Sequence, residues 1–210
     1  MSPDAFASAQ LYGILDLGYV EETAATETTR HLIEGGVDVL QIRWKKGTPG
    51  QIEQLSREVF PMAAEAGVPL IINDHPEIAT NHGDGVHVGQ DDGPMTAARR
   101  KAGAGKIVGR STHGLAQAEA ADAEGADYIG FGPLFATPTK PGRPAIGLEE
   151  IAEVHRRVSI PVFCIGGIKL ENLPEIVEAG ARRVVIVSGI LQAESIESYI
   201  REVKALLPPL

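Results

Sequence analysis

The sequence predicts a (β/α)8 barrel, an α/β fold in which eight parallel strands and eight helices alternate around one closed sheet. Three observations support this prediction. Short apolar segments of strand length alternate eight times with segments of helical character. Glycines end the first two predicted helices, at Gly35 and Gly67. The chain has 210 residues and 43% hydrophobic content, so we expect one domain over residues 1–210 with a substantial core.

The predicted strands are rich in apolar residues, and polar residues follow most of them. We expect strands over residues 10–16, 37–43, 68–73, 85–88, 106–110, 128–131, 161–165 and 182–187. We expect helices over residues 26–35, 49–66, 76–82, 94–102, 114–124, 148–158, 170–179 and 189–207. Parallel pairing through helical crossovers favours a closed TIM barrel. A doubly wound open sheet is the alternative, but nothing marks the reversal of strand order that it requires.

Composition and charge exclude several classes of protein. The formal net charge is −9 and the pI is about 5.2, which argues against a general binder of nucleic acid or anionic membranes. The first residues show no signal peptide, and no apolar run is long enough to span a bilayer. The single cysteine, Cys164, lies in an apolar segment and is expected to be a buried, inert thiol. A cytoplasmic enzyme without disulfides is therefore the expectation.

Functional residues of such barrels gather at the carboxyl ends of the strands, and basic residues lie at the end of strand two. Alternation directs Gln41, Arg43 and Lys45 to one side. The guanidinium fork of Arg43 and the point charge of Lys45 suit a diphosphate. Solvated basic residues after a strand are also common, so both interpretations remain open at this stage.

Two carboxylates at neighbouring strand ends indicate a magnesium site. Asp74 follows strand three and Asp92 follows strand four, whereas Asp91 is expected to be solvated. Mg2+ usually takes one or two carboxylates together with substrate phosphate and water. The alternative for Asp92 is a cap on the next helix. His75 and His87 do not assemble a convincing zinc site, because zinc needs three or four ligands.

The end of strand five offers a hydroxyl and an imidazole. Ser111 can donate a hydrogen bond to a phosphate, or Ser111 or Thr112 can cap the following helix. His113 has an imidazole side chain, a group that can act as an acid or a base in proteins. A Ser-His-Asp catalytic arrangement cannot be argued from the order of these residues.

The loop after strand six also has the donors that a phosphate needs. Thr137, Thr139 and Lys140 supply two hydroxyls and one cation within four residues, in a segment that prolines keep from becoming helical. An exposed polar turn is the alternative interpretation. The prolines and glycines of residues 133–145 make a mobile lid plausible, and we expect it to become ordered when both substrates bind.

Glycines follow strands seven and eight. Gly166 and Gly167 let the backbone approach a ligand, and Ser188 with Gly189 begins the next segment. We expect the N–H groups at both helix starts to bind a phosphate monoester, at the usual phosphate station of this barrel. A diphosphate at strands two to six and a monophosphate at strands seven and eight suggest two substrates.

Seven motifs occur in unbroken order between Leu11 and Ile190, at seven successive strand ends. They are Gln41-x-Arg43-x-Lys45, Ile72-Asn73-Asp74, Gly85-Val86-His87-Val88-Gly89-Gln90-x-Asp92, Gly109-x-Ser111-x-His113, Gly130-x-Gly132-Pro133 with Thr137-x-Thr139-Lys140, Ile165-Gly166-Gly167-Ile168 and Val187-Ser188-Gly189-Ile190. Together they resemble the thiamine-phosphate synthase family. The resemblance implies a Mg2+-dependent transfer in which hydroxymethylpyrimidine diphosphate and hydroxyethylthiazole phosphate give thiamine phosphate and diphosphate.

The resemblance also implies a role for each matched residue. Gln41 would lie beside the pyrimidine, and Asp74 and Asp92 would carry Mg2+. The residues expected to hold the diphosphate are Arg43, Lys45, Asn73, Ser111 and Lys140, and of these Arg43, Lys45, Lys140 and Ser111 are the catalytic candidates. The residues expected at the thiazole phosphate are Thr137, Thr139, Gly167, Val187 and Ser188. The partners are small molecules; oligomeric state stays open, with a homodimer among the options.

Two residues depart from the family pattern. Trp44 stands where the family commonly has glutamate, and His75 stands where it often has arginine; His75 or Lys46 could supply the missing diphosphate contact. Two other functions remain as alternatives. A thiazole tautomerase would use His113 and would leave Asp92, Thr139 and Lys140 without a role. A catalytically silent binder of thiazole phosphate or thiamine phosphate would be consistent with Trp44.

Overall fold

Eight parallel strands close into a barrel in the computed structural model, which describes residues 6–137 and 144–210. Each strand pairs with its neighbours in sequence, and β1 pairs with β8 to complete the ring. The strands are β1 (Leu11–Asp16), β2 (Val39–Arg43), β3 (Leu70–Asn73), β4 (Gly85–Val88), β5 (Ile107–Thr112), β6 (Tyr128–Phe131), β7 (Val162–Ile165) and β8 (Val184–Ile186). The predicted (β/α)8 barrel is confirmed, and the open-sheet alternative is wrong.

Helices separate the strands and cover the outside of the barrel. In the described residues they are α1 (Ala25–Gly35), α2 (Pro49–Glu65), α3 (Pro76–His82), α4 (Met95–Ala102), α5 (Leu115–Ala123), α6 (Ile151–Arg157), α7 (Leu173–Glu178), α8 (Ser188–Leu191) and α9 (Ile196–Leu206). Thr48 begins α2 through a capping box with Gln51, which satisfies backbone donors of the first turn. None of the helices in the described part of the chain is both long and apolar enough to cross a membrane.

Strand alternation divides the core into two parts. Side chains that point inward, such as Tyr12, Ile71 and Phe163, fill the barrel interior, while those that point outward pack beneath the helices. Phe6 packs against the interior, with its ring centroid 4.9 Å from that of Tyr128. The barrel interior beside Phe6 is therefore packed with aromatic side chains. Cys164 is buried as expected, and burial raises the pKa of its thiol to about 12.

Several element boundaries differ from the prediction for local reasons. The predicted helix over residues 189–207 is two helices, because Ser195 takes an extended conformation and its hydroxyl accepts the Ser198 N–H to begin α9. Strand β5 continues through Thr112, two residues beyond its predicted end. Helix α6 begins at Ile151 rather than at residue 148. The additional length of β5 matters most, because it places Ser111 inside the sheet.

Candidate active site

Two cavities meet above the carboxyl ends of the strands. The first, here called the polar groove, lies over β1 to β5 and is lined by Asp16, Arg43, Lys45, Asn73, Asp74 and Asp92, among others. The second, here called the apolar chamber, lies over β5 to β8 and is lined by Thr137, Ile165, Gly167, Ile168, Val187 and Ser188, among others. Ser111 and His113 line both cavities. The described candidate residues therefore converge on one end of the barrel.

The cation at the end of β2 has an anionic partner at the end of β1. Arg43 Nη1 forms an ion pair and hydrogen bond with Asp16 Oδ2. The Asp16 side chain is only 2% exposed, and its other oxygen accepts the Gly18 N–H at 2.9 Å. This pair fixes the guanidinium at the wall of the groove. Sequence reasoning missed Asp16, although a carboxylate at the end of a strand was the available signal.

Lys45 and Asp74 form a second ion pair at the rim of the groove. Lys45 Nζ contacts Asp74 Oδ2, with 53% of the lysine side chain exposed. The backbone of Asp74 has φ 67°, in the left-handed region that non-glycine residues rarely occupy. Its N–H donates to the His87 carbonyl at 2.9 Å, which holds it against the adjacent strand. Such strain is common where a side chain must be held in a functional orientation.

Asp92 belongs to the loop after β4 and does not cap the next helix. Its Oδ2 accepts the Gly89 N–H at 2.6 Å, whereas α4 begins at the N-cap residue Pro94 without a side-chain cap. The capping alternative for Asp92 is therefore wrong. Asp92 faces the same groove as Asp74, and Oδ1 of both carboxylates accepts no hydrogen bond from the part of the chain that the structure describes.

Ser111 and its neighbour Thr112 do not cap a helix either. Ser111 Oγ lies 2.9 Å from His87 Nε2, and the Thr112 hydroxyl donates to the Gly130 carbonyl at 3.1 Å. The N-cap of α5 is Gly114, which has no side chain to provide a cap. Because successive residues of a strand point to opposite faces, Ser111 faces the barrel interior and Thr112 faces outward.

Gln41 and Asn73 lie lower, where a small cavity extends into the barrel beneath the groove. Gln41 is 3% exposed and donates to the Tyr12 hydroxyl at 2.7 Å. Arg43 and Ser111 line the same cavity, so the polar groove has a floor of polar side chains. Gln41 thus lies beside Arg43, as alternation predicts, although Lys45 has left the strand.

His113 is held by hydrogen bonds to the Gly132 backbone and the Gln117 side chain. The ring Nδ1 hydrogen-bonds to the Gly132 carbonyl. The backbone N–H of His113 donates to the side-chain Oε1 of Gln117 at 2.8 Å. A carbonyl can only accept, so Nδ1 carries the proton, and Nε2 is the basic nitrogen when the ring is neutral. The ring is thereby oriented at the junction of the two cavities.

The thiazole-phosphate candidates also come together. Thr137, Gly167, Val187 and Ser188 all line the apolar chamber. Thr139 and Lys140, with the rest of residues 138–143 in the expected lid, lie outside the described residues. A correction concerns the helix starts: α8 begins at Ser188, but α7 begins only at Leu173, six residues after Gly167. The predicted helix start at residue 170 is therefore wrong, and in the described part of the chain no helix begins directly after Gly166 and Gly167.

Gly166 is required by chain packing. Its φ is 102°, and a Cβ at this position would lie 2.4 Å from Pro133 Cα. The loop after β6 is hydrogen-bonded to this segment, because Leu134 N–H donates to Ile165 O at 2.9 Å and Phe135 N–H to Gly166 O at 3.0 Å. Gly166 also lines the apolar chamber, so the predicted approach to a ligand stays a prediction beside this packing role.

We expect Gly166→Ala to lower the free energy of unfolding by about 3 kcal/mol, because backbone strain and a backbone clash act together. Urea denaturation would measure the loss. Gly103→Ala is the matched control, since Gly103 has φ 97° but nothing lies within 4 Å of the added Cβ. Equal losses in the two variants would show that the contact with Pro133 costs nothing.

The two departures from the family pattern have different environments. Trp44 lines the groove and packs over the following turn, where a Cβ on Gly47 would lie 2.6 Å from its ring. Lys46 lines the groove as well. His75 lies 3.1 Å from Glu77, and it is not among the described residues that line the groove. Lys46 is therefore better placed than His75 to replace a missing cation.

The sequence interpretation underrated His87 and missed two tyrosines. His87 lies between Ser111 and Tyr128, and Tyr128 contacts Tyr12 inside the barrel. Burial raises the pKa of both tyrosines well above the ordinary value, so their hydroxyls remain protonated.

The described residues also contain one group of three potential metal ligands, His31, Glu34 and Glu197 on the outer helices.

Comparisons with known proteins give a consistent result. A family model described as thiamine monophosphate synthase matches residues 11–190. The thiamine-phosphate synthase of Chloroflexus aurantiacus is 39% identical over 200 residues, which cover 94% of this chain and 92% of that protein. That of Methanocella arvoryzae is 40% identical over 199 residues, covering 94% of each. The thiamine phosphate pyrophosphorylase of Pyrococcus furiosus superposes with a TM-score of 0.86 at 28% identity, covering 95% of this chain and 96% of that one.

Proposed function

The chain belongs to the thiamine-phosphate synthase family and has its transferase activity in thiamine biosynthesis, and we propose that its polar groove binds hydroxymethylpyrimidine diphosphate and its apolar chamber binds hydroxyethylthiazole phosphate. One observation carries this assignment. Ser111 and His113 lie at the junction of a groove lined by cations and carboxylates and a chamber with mainly apolar walls. Two different anionic substrates can thus meet at one place.

The charges of the groove support its role as the diphosphate site. Arg43 and Lys45 supply cations, and Asn73 and Ser111 supply neutral donors on the same side of the barrel. Arg43 is held by Asp16 before any ligand arrives, so little side-chain freedom is lost when the diphosphate binds. Lys140, outside the described residues, is proposed as a further cation for this group.

The donor set also fits Mg2+. Asp74 and Asp92 are hard oxygen donors in the same groove, and each has one carboxylate oxygen without a hydrogen bond from the described residues. We propose these two residues as the protein ligands of the metal. When bound, Mg2+ would supply positive charge that lowers the cost of forming free diphosphate.

The chamber has the character that a phosphorylated thiazole needs. Ile165 and Val187 provide apolar walls for the ring, while Thr137 and Ser188 provide hydroxyl donors at the edge. Gly167 allows its backbone to contribute to the wall without a side chain. We propose this edge as the site of the thiazole phosphate, with Thr139, outside the described residues, as an added donor.

The proposed coupling reaction requires stabilisation of charge rather than transfer of a proton. The bond between the pyrimidine methylene carbon and the diphosphate oxygen breaks, and the thiazole nitrogen bonds to that carbon with its own lone pair. Arg43 and Lys45 stabilise the negative charge on the leaving diphosphate, and Ser111 donates a hydrogen bond to it. The attacking nitrogen carries no proton, so no general base is required.

We expect diphosphate release only when both substrates and Mg2+ are present. The measurement is a coupled diphosphate assay, repeated without the thiazole phosphate and with EDTA, and the EDTA arm is then restored with excess Mg2+. Omitting either component should reduce release to the background rate. Undiminished release in EDTA would contradict the metal proposal. Folded protein that binds thiazole phosphate but releases no diphosphate would contradict the proposed coupling reaction.

A further inference from the structure

A chain of hydrogen-bonded side chains crosses the interior of the barrel and ends at Ser111. Gln41 Nε2 donates to Tyr12 Oη at 2.7 Å, and Tyr12 Oη lies 3.0 Å from Tyr128 Oη. Tyr128 Oη lies 2.9 Å from His87 Nδ1, and His87 Nε2 lies 2.9 Å from Ser111 Oγ. Five strands, β1, β2, β4, β5 and β6, thus contribute to one continuous path from the barrel interior to the junction of the two cavities.

The first link sets the direction of the next two. An amide nitrogen only donates, so the Tyr12 oxygen accepts from Gln41. Tyr12 is 1% exposed, and its only other hydrogen-bond partner in the described residues is Tyr128. Its single hydrogen is therefore donated to Tyr128. The Tyr128 hydroxyl, having accepted this bond, donates its own hydrogen to His87 Nδ1.

The direction of the bonds then determines the state of His87. A nitrogen that accepts carries no proton, so the neutral ring has its hydrogen on Nε2. Nε2 donates to Ser111 Oγ, and the Ser111 hydrogen is directed away from His87. Ser111 lines both cavities, so this hydroxyl is oriented as a donor at their junction. Both tyrosines stay neutral because burial raises their pKa values. Each hydroxyl therefore keeps the hydrogen that it donates to the next member of the chain.

We propose that Tyr128 and His87 are positioning residues that orient the Ser111 hydroxyl as a hydrogen-bond donor to the departing diphosphate. The proposal rests on the proposed function, because the diphosphate gives the oriented hydroxyl its role. Neither Tyr128 nor His87 needs to touch the substrate for this effect. A bonded chain also polarises each member, so the last donor is stronger than an isolated serine.

The tautomer of His87 can be measured without any activity. The full-length protein labelled with 15N-histidine should show a protonated Nε2 and an unprotonated Nδ1 for His87, assigned by comparison with His87→Gln. A His87 ring with its proton on Nδ1 would overturn the proposal. This result does not depend on turnover, so it is distinguishable from a failure of the proposed function.

Kinetics can show whether Tyr128 acts through Ser111. Tyr128→Phe keeps the ring and should lower kcat by about 10- to 100-fold with a small change in the two KM values, in the range that loss of a supporting hydrogen bond usually costs. In a Ser111→Ala background the same substitution should have little further effect, because the residue it positions is already absent. Independent losses that multiply in the double variant would overturn the proposal.

Two further variants complete the test. Thr112→Val removes a buried hydroxyl from the same strand but outside the chain, and it should leave kcat within about twofold of wild type while any loss of stability is measured separately. Tyr12→Phe keeps Tyr128 but removes the donor that sets its direction, so a mixed His87 tautomer is expected. An unchanged His87 tautomer in Tyr12→Phe would contradict the proposed direction of the hydrogen bonds. This test can still be made if Tyr128→Phe does not fold.

Discussion

Asp92→Asn is expected to lower diphosphate release by about 100-fold, or about 2.7 kcal/mol, because it removes one of the two proposed anionic ligands of Mg2+. Asparagine retains an oxygen that can accept the Gly89 N–H, so the loop after β4 should keep its conformation. The loss should be largest at low Mg2+ and partly recovered as Mg2+ is raised. The measurement is the Mg2+ dependence of diphosphate release with both organic substrates saturating.

Asp91→Ala is the matched control for this experiment. Asp91 is the adjacent carboxylate, and the sequence predicts it to be solvated rather than ligating. Its loss should leave the Mg2+ dependence close to that of wild type. If both variants required the same higher Mg2+ concentration for diphosphate release, general negative charge rather than ligation by Asp92 would attract the metal. An unchanged Mg2+ dependence in Asp92→Asn would remove Asp92 from the proposed site.

Arg43→Met is expected to reduce both stability and activity. Removing the guanidinium leaves the Asp16 carboxylate buried without its partner, which should cost about 3–5 kcal/mol of unfolding free energy. Activity should fall by about 100-fold or more, because a cation that stabilises the leaving diphosphate is lost. Urea denaturation measures the first effect, and diphosphate release at saturating substrate measures the second.

A double variant separates these two effects. Arg43→Met with Asp16→Asn removes the unpaired buried charge, so most of the stability should return while the activity stays low. Lys45→Met provides a contrast, because its pair with Asp74 is exposed and should contribute less than about 1 kcal/mol to stability. If the double variant regained activity together with stability, Arg43 would be a structural residue rather than a ligand of the diphosphate.

The proposed coupling needs charge stabilisation by Arg43 and Lys45 rather than a nucleophile activated by a base. Cys164 is buried behind the strands, and its raised pKa keeps it a thiol. His113 has a fixed orientation at the cavity junction, but the proposed coupling gives it no proton to remove. The thiazole tautomerase alternative depended on such a proton transfer, and the family matches favour the synthase.

The sequence by itself determined the order of elements and the edge at which the site lies. Periodicity and glycine or proline boundaries are local signals, and they placed eight strands and most helices within a few residues of their observed ends. Because parallel strands in one barrel share a carboxyl edge, residues as distant as Arg43 and Ser188 could be assigned to one end of the molecule. The motif order supplied the family.

Only the tertiary structure decided which of these residues contact one another. Closing the barrel brings the end of β1 beside that of β2, which pairs Asp16 with Arg43. It also directs inward side chains of β4, β5 and β6 toward one another, which places His87 between Tyr128 and Ser111. Local spacing carries no information about such contacts, because they depend on strand register and on which face each residue occupies.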